Sequence, residues 1–250
     1  NRFISKITMI NKTVLVIGSA PNAFLPKIIP YKIYTANGAA QRALIYKKRS
    51  SKTYFISITG KAGPKLELVR SKIEKLEPDE IITINGKVKL ERYFTNKFLS
   101  KIKYRFLLKK AFSLQKKIYS INVLRMSDIG LIFGSGNIFF GIFKLFYSIF
   151  IKKRRPMGLT TGGLSILIAL VENPRSKVIV TGIGLKGGRH FYRYKKRVVG
   201  QKQSFPDYRG RSDLFLLKRL PIKLKCRLIT TDVYFSKKAG IKLLKKNEKI

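Results

Sequence analysis

Residues 14–26 read VLVIGSAPNAFLP, and the first four of them decide the fold. Val14–Ile17 is too short for a helix, and its β-branched residues suit a buried strand. Gly18, Ser19, Ala20, Pro21 and Asn22 then fall at the strand's carboxyl end, where open α/β sheets bind their ligands. The pattern repeats downstream. KIYTANGAAQRALIYKK (32–48) predicts a second strand over Ile33–Thr35 and a helix over Gly38–Tyr46, which leaves Asn37 at another strand end. TYFISITG (53–60) reads as a third strand, KLELVRSKIEKL (65–76) as an amphipathic helix and EIITING (80–86) as a fourth strand. Strands alternating with helices predict a parallel sheet in an α/β domain.

The second half resumes the alternation. Thr160 or Thr161 is placed to cap a helix that begins near Gly162 and ends before Pro174, and KVIVTG (177–182) is a strongly apolar strand. Leu214–Leu220 reads as a helix, CRLITTD (226–232) as the last strand and residues 237–250 as a basic finish. Between the halves, Arg92–Arg125 is basic and aromatic with apolar residues at roughly helical spacing, so a cationic helical face is expected. Residues 129–151 are the most apolar stretch and run straight into KKRR. Their length is marginal for a membrane span, while Gly134, Gly136, Gly141 and the flanking α/β pattern argue against one, leaving an interfacial or a buried helix.

Composition narrows the partners. The 250 residues, 45% of them hydrophobic, suffice for one domain with a full core. Against 54 Lys and Arg stand 12 Asp and Glu, a formal net charge of +42, so phosphates, nucleic acid and anionic lipid are all attracted. Cys226 is the single cysteine, which excludes an internal disulfide and fits a reducing, cytoplasmic setting. The opening NRFISKITMINK does not read as a signal peptide.

The motifs point to phosphate without metal. GSAPN is neither a Walker loop nor a three-glycine dinucleotide turn, yet exposed amides at a tight turn let a phosphate approach closely. Gly182, Gly184 and Gly187 do match Gly-x-Gly-x-x-Gly, but the basic aromatic loop GRHFYRYKKR follows where a βαβ unit needs an apolar helix face. No Asp-x-Asp pair, His-Glu-x-x-His or Cys/His cluster occurs, so no metal site is expected. His190, the single histidine, is the side chain poised to exchange a proton near neutrality, with Tyr192 and Tyr194 just beyond it. Asp213 opens a predicted helix, where it serves equally as an N-cap, and Asp232 ends the strand before the tail.

The order of these motifs resembles that of the bacterial sialyltransferase-like glycosyltransferases, the group around the family 42 sialyltransferases. The likeness rests on VLVIGSAPNAFLP, YTANGAA, GLTTGGLSILIAL followed by VIVTGIGLKGGRHFY, and SDLFLLKRL followed by CRLITTDVYFSKKAGIKL. It covers both ends of the chain and residues 90–150 hardly at all.

The resemblance implies a three-layer, Rossmann-like, mostly parallel sheet in a single domain of the GT-A-variant kind, with a helical insertion over about 92–155. It further implies inverting, metal-independent transfer from a CMP-linked sugar of the sialic acid or Kdo kind to a glycan or glycolipid, with no other cofactor. Gly18–Asn22 and Asn37 would contact the nucleotide, and Thr160, Thr161 and Gly162 the donor sugar and its carboxylate. His190, Tyr192, Arg211 and Asp213 form the catalytic set carried over. Where family members have a catalytic His before the Asp matched by Asp213, this chain has Tyr208, Arg209 and Arg211. That leaves His190 as the base, another route for the acceptor proton, or a catalytically weak protein. A transferase acting on lipid-linked glycans would work peripherally at the inner face of an anionic membrane, held through residues 92–155. A pterin diphosphokinase-like phosphotransferase and a basic nucleic-acid-binding protein are the alternatives; the first is short of paired acids, and the second lacks a recognisable binding motif.

Overall fold

The computed structural model describes residues 12–21, 23–60, 66–83, 90–106, 159–185 and 213–245. Among them are the strands β1 (Thr13–Ile17), β2 (Lys32–Ala36), β3 (Tyr54–Thr59), β4 (Glu80–Thr83), β5 (Lys103–Phe106), β6 (Lys177–Thr181), β7 (Leu228–Thr230) and β8 (Lys242–Leu243). They form one 8-stranded sheet in the order β5-β4-β3-β2-β1-β6-β7-β8. Each neighbouring pair is parallel, so every strand's carboxyl end lies along one edge. The chain steps outward from β1 to β5, returns to β6 on the other side of β1, and steps outward again to β8.

Alternation along β1 builds two cores. Leu15 and Ile17 point to the face covered by α1 (Ala40–Lys47) and α2 (Glu67–Leu76), together with Ile33, Ile81 and Ile179. Val14 and Val16 point to the opposite face, against Val178 and Val180 and a helix over Thr161–Glu172. Between them, these layers make a doubly wound, Rossmann-like α/β fold. The Thr161–Glu172 helix is buried continuously from Gly162 to Leu170, because the sheet lies on one side of it and Leu216, Leu217 and Leu220 on the other. A helix apolar all round needs partners all round.

Two expectations are corrected. The basic stretch after Arg92 contains a short helix α3 (Asn96–Leu99), but Lys103–Phe106 is the edge strand β5 and not part of a helix. Pairing with β4 overrides the helical spacing, and Arg105 is drawn in by ion pairs to Glu80 and, at 2.6 Å, to Glu172. The strand in CRLITTD is not the last, for Gly240 ends the Val233–Ala239 helix at φ +63 and turns the chain into β8 beside β7. Residues 107–158, including the apolar run 129–151, lie outside the described residues. Among the described residues no helix is long and apolar enough to cross a membrane.

The carboxyl end of the Thr161–Glu172 helix, α4, is fastened to the amino-terminal edge of the sheet. Arg227, just before β7, donates to the carbonyls of Leu170 (3.0 Å), Asn173 (2.7 Å) and Ser176 (3.2 Å), collecting acceptors that a helix end otherwise leaves open. The Tyr34 hydroxyl donates to Glu172 Oε2 at 2.7 Å and accepts from Asn173 Nδ2 at 3.0 Å. One end of α4 being fixed, its amino end is carried to the opposite edge of the sheet.

Candidate functional site

Strand order reverses between β1 and β6, and a doubly wound sheet opens its ligand crevice beyond the carboxyl ends at such a point. Here the loops after β1 and β6 meet backbone to backbone. Gly18 donates its N–H to Thr181 O at 2.7 Å, and Ala20 donates to Gly182 O at 2.8 Å. The two loops approach so closely that a Cβ on Gly18 would lie 2.1 Å from Gly182 O, and one on Gly182 2.6 Å from Gly18 O. Gly182 also sits at φ +67. The first glycine of the rejected dinucleotide match therefore has a backbone role. One expectation is narrowed as a result: the amides of Gly18 and Ala20 are spent on the last residue of β6 and on Gly182 just after it, so a phosphate at this loop would not be received by those two groups.

Arg42, on α1, was not singled out in the sequence. Its Nη1 donates to Gly18 O at 3.2 Å, and burial lowers its pKa from the usual guanidinium value. A Cβ on Gly182 would meet the same nitrogen at 2.9 Å. Nothing local distinguishes Arg42 among 54 cations. Its position one helical turn beyond Asn37 was the available signal, since that turn overlies the end of β1.

Asn37 follows β2 directly. It takes a left-handed conformation, φ 51, and its Oδ1 accepts from the Thr59 hydroxyl at 3.2 Å at the end of β3. Asparagine tolerates this conformation better than most side chains do. Its amide is thereby fastened to the carboxyl rim of the sheet beside the Gly18 loop.

The third segment is the amino end of α4. Thr160 is the N-cap as expected, its hydroxyl accepting from Gly163 N at 3.0 Å. Asp213, 1% exposed, accepts from Thr160 N at 2.9 Å and from the Thr160 hydroxyl. The Asp213 carboxylate thus braces the cap of a different helix, which the local sequence did not reveal. Gly163 makes the approach feasible, for a Cβ there would stand 2.3 Å from Asp213 Oδ1. Gly162 and Gly18 share another neighbour, since Cβ atoms on them would lie 2.8 and 2.5 Å from Ile183 Cδ1. Ile183 is therefore wedged between the β1 loop and the start of α4.

Gly18–Pro21, Asn37 and Thr160–Gly162 all lie at this carboxyl edge. Asn22, His190, Tyr192 and Arg211 lie outside the described residues. Asp232 caps the Val233–Ala239 helix by accepting from Phe235 N at 2.7 Å. Among the described residues no group of three or more His, Cys, Asp or Glu is arranged to hold a metal ion. No protein-family model, curated protein or solved structure matches the chain. Fold and geometry define a Rossmann-like α/β protein whose Gly18 and Gly182 loops close on each other at the topological switch point of the sheet.

Proposed function

We propose that the protein is an inverting, metal-independent glycosyltransferase that moves a sugar of the sialic acid or Kdo kind from a CMP-linked donor to a glycan or glycolipid acceptor. The observation that carries this reading is convergence. Segments 18–21, 37 and 160–162 are far apart in sequence, and all three lie along the carboxyl edge of the sheet, with Ile183 wedged between the first and third.

In such a transfer an acceptor hydroxyl attacks the anomeric carbon, a new C–O bond forms and the bond to the CMP phosphate breaks. The leaving phosphate keeps the electron pair, and the acceptor proton passes to a base, the role given to His190. Positioning supplies much of the rate, and fixed donors facing the phosphate supply more. The partly desolvated Arg42 guanidinium adds positive charge beside the Gly18 loop. With a glycolipid acceptor, the protein works peripherally on a membrane.

The test is calorimetric titration with CMP, UMP, GMP and AMP at about 0.3 M salt, where attraction to a cationic surface is screened. CMP-selective binding weakened by Asn37→Ala and by Thr161→Ala is the expected result. Equal, weak binding of all four nucleotides would overturn the reading.

A further inference from the structure

The edge of the sheet opposite the crevice has a composition of its own. Because every strand is parallel, this edge gathers all strand starts together with the carboxyl ends of the connecting helices. Lys32, Lys103, Lys177 and Lys242 are the first residues of β2, β5, β6 and β8, and Lys12 immediately precedes β1. Lys75, Lys237 and Lys238 stand in the last turns of α2 and of the Val233–Ala239 helix. Attraction to helix carbonyl ends accounts for the second group, but not for the first. Of the acids at this edge, Glu80 and Glu172 pair with Arg105, Asp79 accepts from Phe55 N at 2.7 Å, and the exposed Glu77, just past α2, lies 3.4 Å from Lys47 Nζ, so the lysines still outnumber the acids that face solvent.

Two large apolar side chains stand out on the same edge. Ile29, in the loop entering β2, is 72% exposed, and Ile222, at the start of the short helix entering β7, is 84% exposed. Exposed lysines flank them at Lys27 and Lys223. Isoleucines protruding from a broad cationic face match an anionic lipid surface, where lysines meet headgroups and the apolar tips enter the acyl boundary. A nucleic acid would use the lysines and leave the isoleucines in water.

We infer that this edge, with Ile29 and Ile222 as inserting residues, docks the protein on an anionic bilayer. The inference deepens the membrane part of the proposed function and rests on that part alone, independently of the nucleotide site. Docked this way, the five-residue β1 holds the crevice about 16 Å further from the bilayer, facing the aqueous side.

The chain contains no tryptophan, so Ile222→Trp in the full chain provides a single fluorescent reporter. Its emission is expected to shift to the blue on adding phosphatidylcholine vesicles that carry roughly a third phosphatidylserine at about 0.15 M salt, and not with phosphatidylcholine alone. Brominated acyl chains should quench it. In co-sedimentation, Ile29→Ser/Ile222→Ser and Lys12→Glu/Lys32→Glu/Lys177→Glu should each weaken vesicle binding roughly tenfold or more, with melting temperatures confirming that both fold. If the unaltered chain does not bind anionic vesicles, the membrane reading and this face fall together. If it binds while the reporter stays unshifted and both variants bind undiminished, this face alone is overturned.

Discussion

Asp213 reaches across from another helix to Gly163, and a Cβ on that glycine would stand 2.3 Å from the Asp213 Oδ1. The carboxylate occupies the volume a side chain at position 163 would need, and there it holds the backbone N–H and hydroxyl of Thr160. Removing it by Asp213→Ala leaves part-buried donors of Thr160 unsatisfied at a helix start, at an expected cost of about 1–2 kcal/mol in urea unfolding. Gly163→Ala should be comparably costly in the unaltered protein and much less so in the Asp213→Ala background, where the space is vacated. A double-mutant cycle with an interaction of about 1 kcal/mol or more is expected; strict additivity would show that the two positions do not compete.

The three crevice glycines should not respond alike. Gly182→Ala combines a left-handed φ with backbone 2.6 Å away, so a loss of about 2 kcal/mol or more is expected, together with loss of any crevice ligand. Gly18→Ala meets backbone at 2.1 Å and should behave similarly. Gly162→Ala meets no backbone, only side-chain atoms, with Ile183 Cδ1 nearest at 2.8 Å and Ile183 Cγ2 and Thr160 Oγ1 at 3.3 and 3.4 Å, and should cost less than either, about 1 kcal/mol. Equal melting temperatures for the 162 and 182 variants would contradict the geometry described.

Arg105 is the cation shared by Glu80 and Glu172, whose side chains are 11% and 12% exposed. Arg105→Met strands two mostly buried carboxylates. With Arg105 itself 31% exposed, a penalty of about 2 kcal/mol is expected, below that of a fully buried pair. Adding Glu80→Gln and Glu172→Gln should recover part of it in thermal melts, which a purely steric role for Arg105 would not allow.

Alkaline stability follows from two buried phenols. Burial, helped at Tyr34 by the neighbouring Glu172 carboxylate, pushes the Tyr34 and Tyr46 hydroxyls well above their ordinary value. An unfolded tyrosine releases its proton near pH 10 while the folded one keeps it, so the folded state binds more protons as pH rises. The stabilisation is fully present below about pH 10 and declines above it, by about 1.4 kcal/mol per pH unit for each phenol. Tyr34→Phe and Tyr46→Phe should each flatten that decline, whatever they cost at neutral pH. An unchanged slope between about pH 10 and 11 in both variants would refute the assignment.

Much of the architecture was legible locally. β1, β2, β3 and β6 are short β-branched runs ended by Gly, Asn or a polar turn, and a strand buried on both faces leaves that signature in its own residues. The cap at Thr160 was legible because its donor, Gly163, lies three residues away. β5 was not, since its cationic, aromatic residues take strand conformation from β4 and from Arg105's distant acids. β8, at two residues, carries too little pattern to be recognised.

At the site the division is the same. Local spacing placed Gly18–Pro21, Asn37 and Thr160–Gly162 at strand ends and a helix start, because turn and capping chemistry act over a few residues. The pairing of β6 with β1, the closure of Gly18 on Gly182, the reach of Arg42 and the brace from Asp213 to Thr160 came from packing. These contacts join residues tens to more than a hundred positions apart, where the decisive quantity is which backbones and side chains fit within hydrogen-bonding distance once the two cores have closed.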